Sequence, residues 1–251
     1  MNVLGIDVGG SGIKGALVDL KTGALASERI RLETPPSFEI EAVTNTLSSL
    51  INAFDYSGPI GIGFPAAVAH GTVLTPPTAH EVAGWVGKPI NERLSAATGR
   101  EVNVLNDADA AGLAEIEFGA GRGLPGVVIT VTLGTGVGAG LFMNGKLVPN
   151  LELGKIYLAR HAHVVEQYMA GRIKKEEGLK WDKYGERLNE FLLHVEHIFS
   201  PQLIVIGGGI SKKHEKFFPA LKLTRTRVLP AELRNEAGII GAAVWAAGLE
   251  R

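Results

Sequence analysis

Cysteine is absent from this 251-residue chain. Disulfides, thiol nucleophiles and Cys-ligated zinc are therefore excluded. No apolar run is long enough to span a bilayer as a helix. The opening Met1-Asn-Val-Leu-Gly-Ile-Asp7 has no basic flank and no cleavage-like site. It reads as a first strand rather than a secretory signal, and cytoplasmic residence is expected. Net charge is nearly absent too, at −1. The local exception is Ser211 to Arg227, where Lys212, Lys213, Lys216, Lys222, Arg225 and Arg227 stand against the single acid Glu215. That run reads either as a solvated face or as a groove for a polyanion. It has no interleaved aromatic ladder, which argues against nucleic acid as a partner.

What is present is an α/β pattern. The length allows one large domain or two small ones sharing a cleft. Apolar runs predict strands at Val3–Ile6, Ile13–Leu20, Ala24–Leu32, Ile60–Phe64, Glu101–Leu105, Leu203–Ile206 and around Val228. Val127–Thr132 and Val137–Phe142 are expected to pair, closed by the Asn144-Gly145 turn. Helical spacing predicts helices at Glu39–Phe54, from Pro89 to about Thr98, Ala108–Phe118, Glu166–Arg172, Trp181–Phe199 and Glu236–Leu249. A domain boundary is expected near Asn106, giving a smaller domain 1–106 and a larger one 107–251, with the final helix packing back on the first. Strand, Gly-rich turn, strand occurs at Ile6–Leu17 and again at Val131–Leu141, as in a duplicated fold.

The chemistry concentrates at strand ends. In Asp7-Val-Gly-Gly-Ser-Gly-Ile-Lys-Gly15, the glycines at 9, 10 and 12 let backbone N–H groups approach phosphate oxygens. Ser11 adds a hydroxyl, Lys14 a cation, and Asp7 a carboxylate able to hold Mg²⁺ through water or phosphate. Alone, this segment reads equally well as a plain hairpin. Thr132-Leu-Gly134-Thr135-Gly136 repeats the logic with hydroxyls, and Gly207-Gly208-Gly209-Ile-Ser211 ends a strand where a helix begins, which suits an anion. Two near-motifs fail. Gly140 to Leu147 fits G-x-x-x-x-G-K but lacks the final Ser or Thr, and the G-x-G-x-x-G spelled by Gly10 to Gly15 runs into the predicted strand Ile13–Leu20 instead of opening a helix. His161 and His163 lack the partners of a zinc site.

Asn106-Asp107-Ala-Asp109 follows the strand Glu101–Leu105. Asp107 is the candidate general base, accepting a hydroxyl proton as a phosphoryl group arrives. Asn106 is placed to bind a neighbouring hydroxyl, and helix capping is an equally compatible role for both residues.

These segments resemble the ROK sugar kinases, and within them the polyphosphate-glucokinase branch. The opening loop, Gly61-Ile-Gly-Phe-Pro65, Leu105-Asn-Asp-Ala-Asp109 and Thr132 to Gly140 follow in the family's order. Glu186-Arg-Leu-Asn189, Ser200-Pro201, Gly207 to Lys213 and Leu233 to Ala243 resemble the branch most specifically. The resemblance implies a hexokinase-like, actin-type ATPase fold with two domains around a cleft, and Mg²⁺-assisted transfer of a terminal phosphate to the 6-hydroxyl of glucose. It implies Asp107 as base, with Asn106, Glu152 and Glu166 on the sugar. It makes Lys212 and Lys213 part of a polyphosphate path beside Gly208 and Gly209. It also implies a homodimer and no zinc.

Two departures bear on the sugar. The family's Glu-x-Gly-His is here Glu152-Leu-Gly-Lys155, a cation that only donates. Thr78-Ala-His80-Glu-Val-Ala-Gly-Trp85 lacks the family's Asn. Lys155 and His80 are therefore carried as sugar-contact candidates, and glucose or a close hexose as acceptor. The donor is polyphosphate, with ATP possible by the same machinery. The alternatives are a strictly ATP-dependent sugar kinase and a non-catalytic sugar or polyphosphate binder.

Overall fold

A computed structural model describes residues 1–78, 82 and 84–248. In chain order the main elements are β1 (Asn2–Gly9), β2 (Gly12–Asp19), β3 (Ala24–Leu25), β4 (Ile30–Leu32), α1 (Ile40–Asn52), β5 (Ile60–Phe64), β6 (Val68–Ala69), β7 (Thr72–Val73), α2 (Ile90–Thr98), β8 (Val102–Asn106), α3 (Asp107–Glu117), β9 (Val127–Leu133), β10 (Val137–Met143), β11 (Lys146–Val148), α4 (Val165–Met169), α5 (Gly171–Glu176), α6 (Trp181–Phe199), β12 (Leu203–Gly207), β13 (Arg227–Pro230) and α7 (Ala237–Ala246). By contact the chain forms two units, Met1–Ala114 with Glu236–Arg251, and Glu115–Asn235. The chain passes between them inside α3, past Asn106.

The first unit is built on a sheet ordered β3-β2-β1-β5-β8, with β4 also on β2. Strands β1, β5 and β8 are parallel, and β2 turns back antiparallel on β1. Every residue of β5 is buried, as its unbroken apolar run predicts. The two-residue strand period then divides labour. Leu4, Ile6, Ile60 and Ile62 join one apolar core with Val43, Leu47 and Leu50 of α1 and Leu94 of α2. Gly5 and Gly61 point to the other face. An added Cβ at either would overlap the backbone of α7, at Ile239 and Ala242 respectively. Gly241 of α7 is in turn pressed on the Ala110 carbonyl of α3. Glycine therefore lets α7 lie directly on the sheet and on α3.

The second unit repeats the plan, with sheet order β11-β10-β9-β12-β13. β9, β12 and β13 are parallel and β10 is antiparallel to β9. The apolar stripe Tyr184, Leu188, Phe191, Leu192 and Val195 of α6 covers its core.

Four expectations need correction. The Ala24–Leu32 strand is two short pieces, because the Ser27 hydroxyl accepts the Leu17 N–H at 3.0 Å and interrupts the ladder. Asn144-Gly145 joins β10 to the additional β11, not β9 to β10; both residues take positive φ, 53° and 79°, as a tight hairpin turn requires. The Glu166–Arg172 helix breaks at Ala170, whose ψ is 154°. The segment after Gly208 is a 3₁₀ stretch, Gly209–Lys216, kinked at Lys213. Among the described residues no helix is long and apolar enough to cross a membrane.

Candidate active site

In the first unit, Asp7 pairs with Lys14 and Gly9 with Gly12, leaving Gly10 and Ser11 at the turn. The Thr34 hydroxyl donates to the Gly9 carbonyl at 2.6 Å. The Arg31 guanidinium donates to the Ser11 carbonyl. A Cβ on Gly12 would strike that guanidinium, so glycine here admits a cation over the loop. Arg31 escaped the sequence reading because only the pairing of β4 with β2 delivers it.

Asp7 lies near the C-terminal end of β1. Its Oδ2 is 3.6 Å from Lys14 Nζ. A Cβ on Gly238, in the first turn of α7, would stand 2.9 Å from its Oδ1. Burial pushes the Asp7 carboxyl above its ordinary range, and Lys14 and Arg29 oppose that. A carboxylate with incompletely compensated charge suits hydrated Mg²⁺, which takes few protein ligands. Among the described residues no group of three or more His, Asp or Glu forms a metal cage.

Asn106 is 8% exposed and largely committed. Its Oδ1 accepts the N–H groups of Ala108 at 2.9 Å and Asp109 at 3.2 Å, and its Nδ2 donates to the Ala66 carbonyl at 3.2 Å. The capping role is the one realised, which leaves one amide hydrogen for a ligand. The cap fixes how Asp107 leaves the strand. Asp107 is half-buried, its Cα 3.5 Å from where a Cβ on Gly63 would stand. Gly63 pairs with Asp7 on one side and Leu105 on the other. Asp7 and Leu105 are thus two strand spacings apart, about 10 Å, and Asp107 follows Leu105 by two residues at that end of the sheet. His80 lies outside the described residues.

In the second unit, Glu152, Lys155 and Glu166 come together. Lys155 Nζ is 3.0 Å from Glu166 Oε1, with Lys155 half-exposed and Glu166 18% exposed. Glu166 Oε2 accepts the Val137 N–H at 3.2 Å. Gly136 is glycine because a Cβ there would collide with that carboxylate. Gly154 likewise lets the 3₁₀ turn Leu153–Lys155 press on the Val137 carbonyl. Burial raises the Glu152 carboxyl above its ordinary range; Lys155 opposes this and Glu166 adds to it. Lys155 thus pairs directly with Glu166 and also offsets the charge of Glu152.

The two Gly turns of this unit are neighbours, since Thr132 on β9 pairs with Gly207 on β12. Gly208, at φ 80°, sits against the Leu133 backbone where a Cβ would overlap. Arg172 braces the first turn, donating its backbone N–H to Gly134 at 3.1 Å and Nε–H to Thr135 at 2.7 Å. Gly171 approaches the Gly134 carbonyl so closely that a Cβ would lie 3.1 Å away, which accounts for the break between α4 and α5. A cavity of about 470 Å³ opens here, lined by Gly134, Thr135, Gly209, Trp181 and the cations Arg172, Lys174 and Lys175, among others. Lys212 and Lys213 are exposed and do not line it. The cations on the cavity come instead from Arg172-Ile-Lys-Lys175, which the sequence analysis does not single out.

A profile of the ROK family matches residues 3–156. A polyphosphate glucokinase from Mycobacterium tuberculosis is 42% identical over 241 residues, 96% of this chain and 89% of that protein. The crystal structure of an inorganic polyphosphate/ATP-glucomannokinase from Arthrobacter sp. strain KM is 42% identical, covers 99% of both chains and superposes with a TM-score of 0.91. A ROK family glucokinase from Streptomyces griseus, solved with glucose and AMPPNP, is 24% identical with a TM-score of 0.81, covering 99% of this chain and 100% of that one. The fold is thus the hexokinase-like, actin-type ATPase fold.

Proposed function

Because the chain belongs to the ROK family, we propose that it is a sugar kinase moving the terminal phosphoryl group of polyphosphate, or of ATP, to the 6-hydroxyl of glucose or a close hexose. The observation that carries this reading is the cation-lined cavity at the adjoining Gly turns of β9 and β12, in a chain whose strand end at Asn106 presents a carboxylate. Phosphoryl transfer needs positioning and charge neutralisation more than covalent chemistry.

The roles divide by residue. Asp107 accepts the proton of the sugar hydroxyl as that oxygen bonds to phosphorus. The bridging P–O bond of the donor breaks, and the leaving chain departs one phosphoryl group shorter. Asn106 holds the start of α3 and so aims Asp107. Glu152, with Lys155 and Glu166, orients sugar hydroxyls, and His80 is carried as a further sugar contact. Backbone N–H groups of Gly9, Gly10, Ser11 and Gly12, with Lys14 and Arg31, meet phosphate oxygens in the first unit. Thr132, Gly134, Thr135, Gly136, Gly208 and Gly209, with Arg172, Lys174 and Lys175, do so in the second, and exposed Lys212 and Lys213 extend the path. Asp7 would hold Mg²⁺ through water, and the ion would supply charge neutralisation on the donor. A homodimer in the cytoplasm completes the reading on family grounds.

Asp107→Asn is expected to lower turnover by about 10⁴-fold or more, with polyphosphate binding and melting temperature kept. Steady-state kinetics beside a polyphosphate titration measure this. Turnover near that of the parent protein would remove Asp107 as the base.

A further inference from the structure

The donor cavity contains one feature that neither hydroxyls nor glycines explain. Among the described residues that line it, Trp181 is the only aromatic. An aromatic ring can offer its face to a nucleobase by stacking. Here the indole is otherwise engaged. Lys174 Nζ lies 4.1 Å from its centroid. Lys216 Nζ lies 5.9 Å away. Phe217 stacks nearly parallel to it, at 5.9 Å and 17°. Tyr184, fully buried, meets it edge-on at 6.4 Å and also packs edge-on against Phe217. The indole thus packs on the buried Tyr184 and Phe217 and carries the ammonium groups of Lys174 and Lys216 over its ring.

We propose that Trp181 is a specificity-determining positioning residue: by cation–π contact it pre-sets Lys174, seconded by Lys216, as a grip for successive phosphates of an extended chain, and so tilts donor choice toward polyphosphate over a nucleotide. The proposal rests on the donor reading of the cavity. A free lysine loses much side-chain freedom when it binds an anion. One already ordered over an aromatic ring loses less, so more of the Coulomb attraction survives as affinity. Lys175, adjacent on α5, and Arg172, braced on Thr135, extend the cationic lining toward the Gly turns. A polyanion with regularly spaced charges can use the whole row. A nucleotide has its charges at one end, and its base competes with Lys174 for the same ring.

Four variants of the full chain test this, each assayed with polyphosphate of defined length and, separately, with ATP. Lys174→Met and Trp181→Leu should each lower the ratio of kcat/KM for polyphosphate to that for ATP by about tenfold, chiefly through KM for polyphosphate. Trp181→Phe, which keeps a ring face, should restore part of the ratio, an effect that loss of packing alone would not give. Gly209→Leu is the control on the cavity itself. A Cβ at Gly209 meets nothing within 4 Å, so the added side chain fits the fold and fills the space. It should depress both donors together. An unchanged donor ratio in Lys174→Met and Trp181→Leu, with Gly209→Leu still damaging, overturns the Trp181 proposal and leaves the cavity as the donor site. Full activity of Gly209→Leu with both donors removes the cavity reading, and the proposal with it.

Discussion

Asp7 is where charge and fold pull against each other. Burial raises its carboxyl above the ordinary range, so folding disfavours its ionised form at neutral pH. For a carboxylate shifted upward, the native state binds more protons than the unfolded one. The destabilisation is therefore present above the folded value and fades as pH falls through it. Lys14 at 3.6 Å, with Arg29, reduces the cost without removing it. Asp7→Asn should accordingly melt higher than the parent at pH 7, the gap narrowing in acid, while turnover falls by about 100-fold. Thermal melts across pH, set beside initial rates, decide the matter. A lower melting temperature at pH 7 would mean that Asp7 is a structural anion rather than one kept for ligand. The same scale shows where sequence reading stops. Asp7, Gly9 and Gly12 were visible because they are contiguous. Arg31 was not, since strand pairing rather than sequence distance puts it at Ser11.

At the scale of elements, glycine acts in two distinguishable ways. Gly5, Gly61 and Gly241 are spaces filled by neighbouring backbone, which brings α7 onto β1, β5 and α3. Gly134 has nothing within 4 Å of an added Cβ and lines the cavity. Gly241→Ala should thus cost about 3 kcal/mol, because α7 must move off α3. Gly134→Ala should stay within about 0.5 kcal/mol of the parent. Denaturant melts of both variants check the contrast, and equal costs would refute it. The strands β5, β8 and β12 and the helix α6 were legible because apolar runs and a 3.6-residue stripe are local signals. The break at Ala170 was not, because its cause is the approach of Gly171 to Gly134, a contact between distant parts of the chain. For the same reason Arg172, Lys174 and Lys175 drew no functional reading from the sequence. The more conspicuous Lys212 and Lys213 drew the polyanion reading although they do not line the cavity.

At the scale of the whole molecule, the chain order of the units matters. The first unit consists of residues 1–114 and is completed only by 236–251, whereas the second is the continuous span 115–235. α7 contributes fully buried Ile239, Ile240 and Val244 to the first unit. Burying three aliphatic side chains contributes about 6 kcal/mol. That is comparable with the net stability of an ordinary domain, about 5–15 kcal/mol. A chain ending at Asn235 therefore loses a contribution as large as an ordinary domain's net stability, and it also loses the helix turn beside Asp7. The second unit retains its own core of α6 against β9 and β12. Limited proteolysis of the truncated protein should degrade 1–114 while sparing a fragment spanning 115–235. Protection of both spans would mean that β1, β5 and β8 are stable without α7, and that the last helix serves Asp7 rather than the fold.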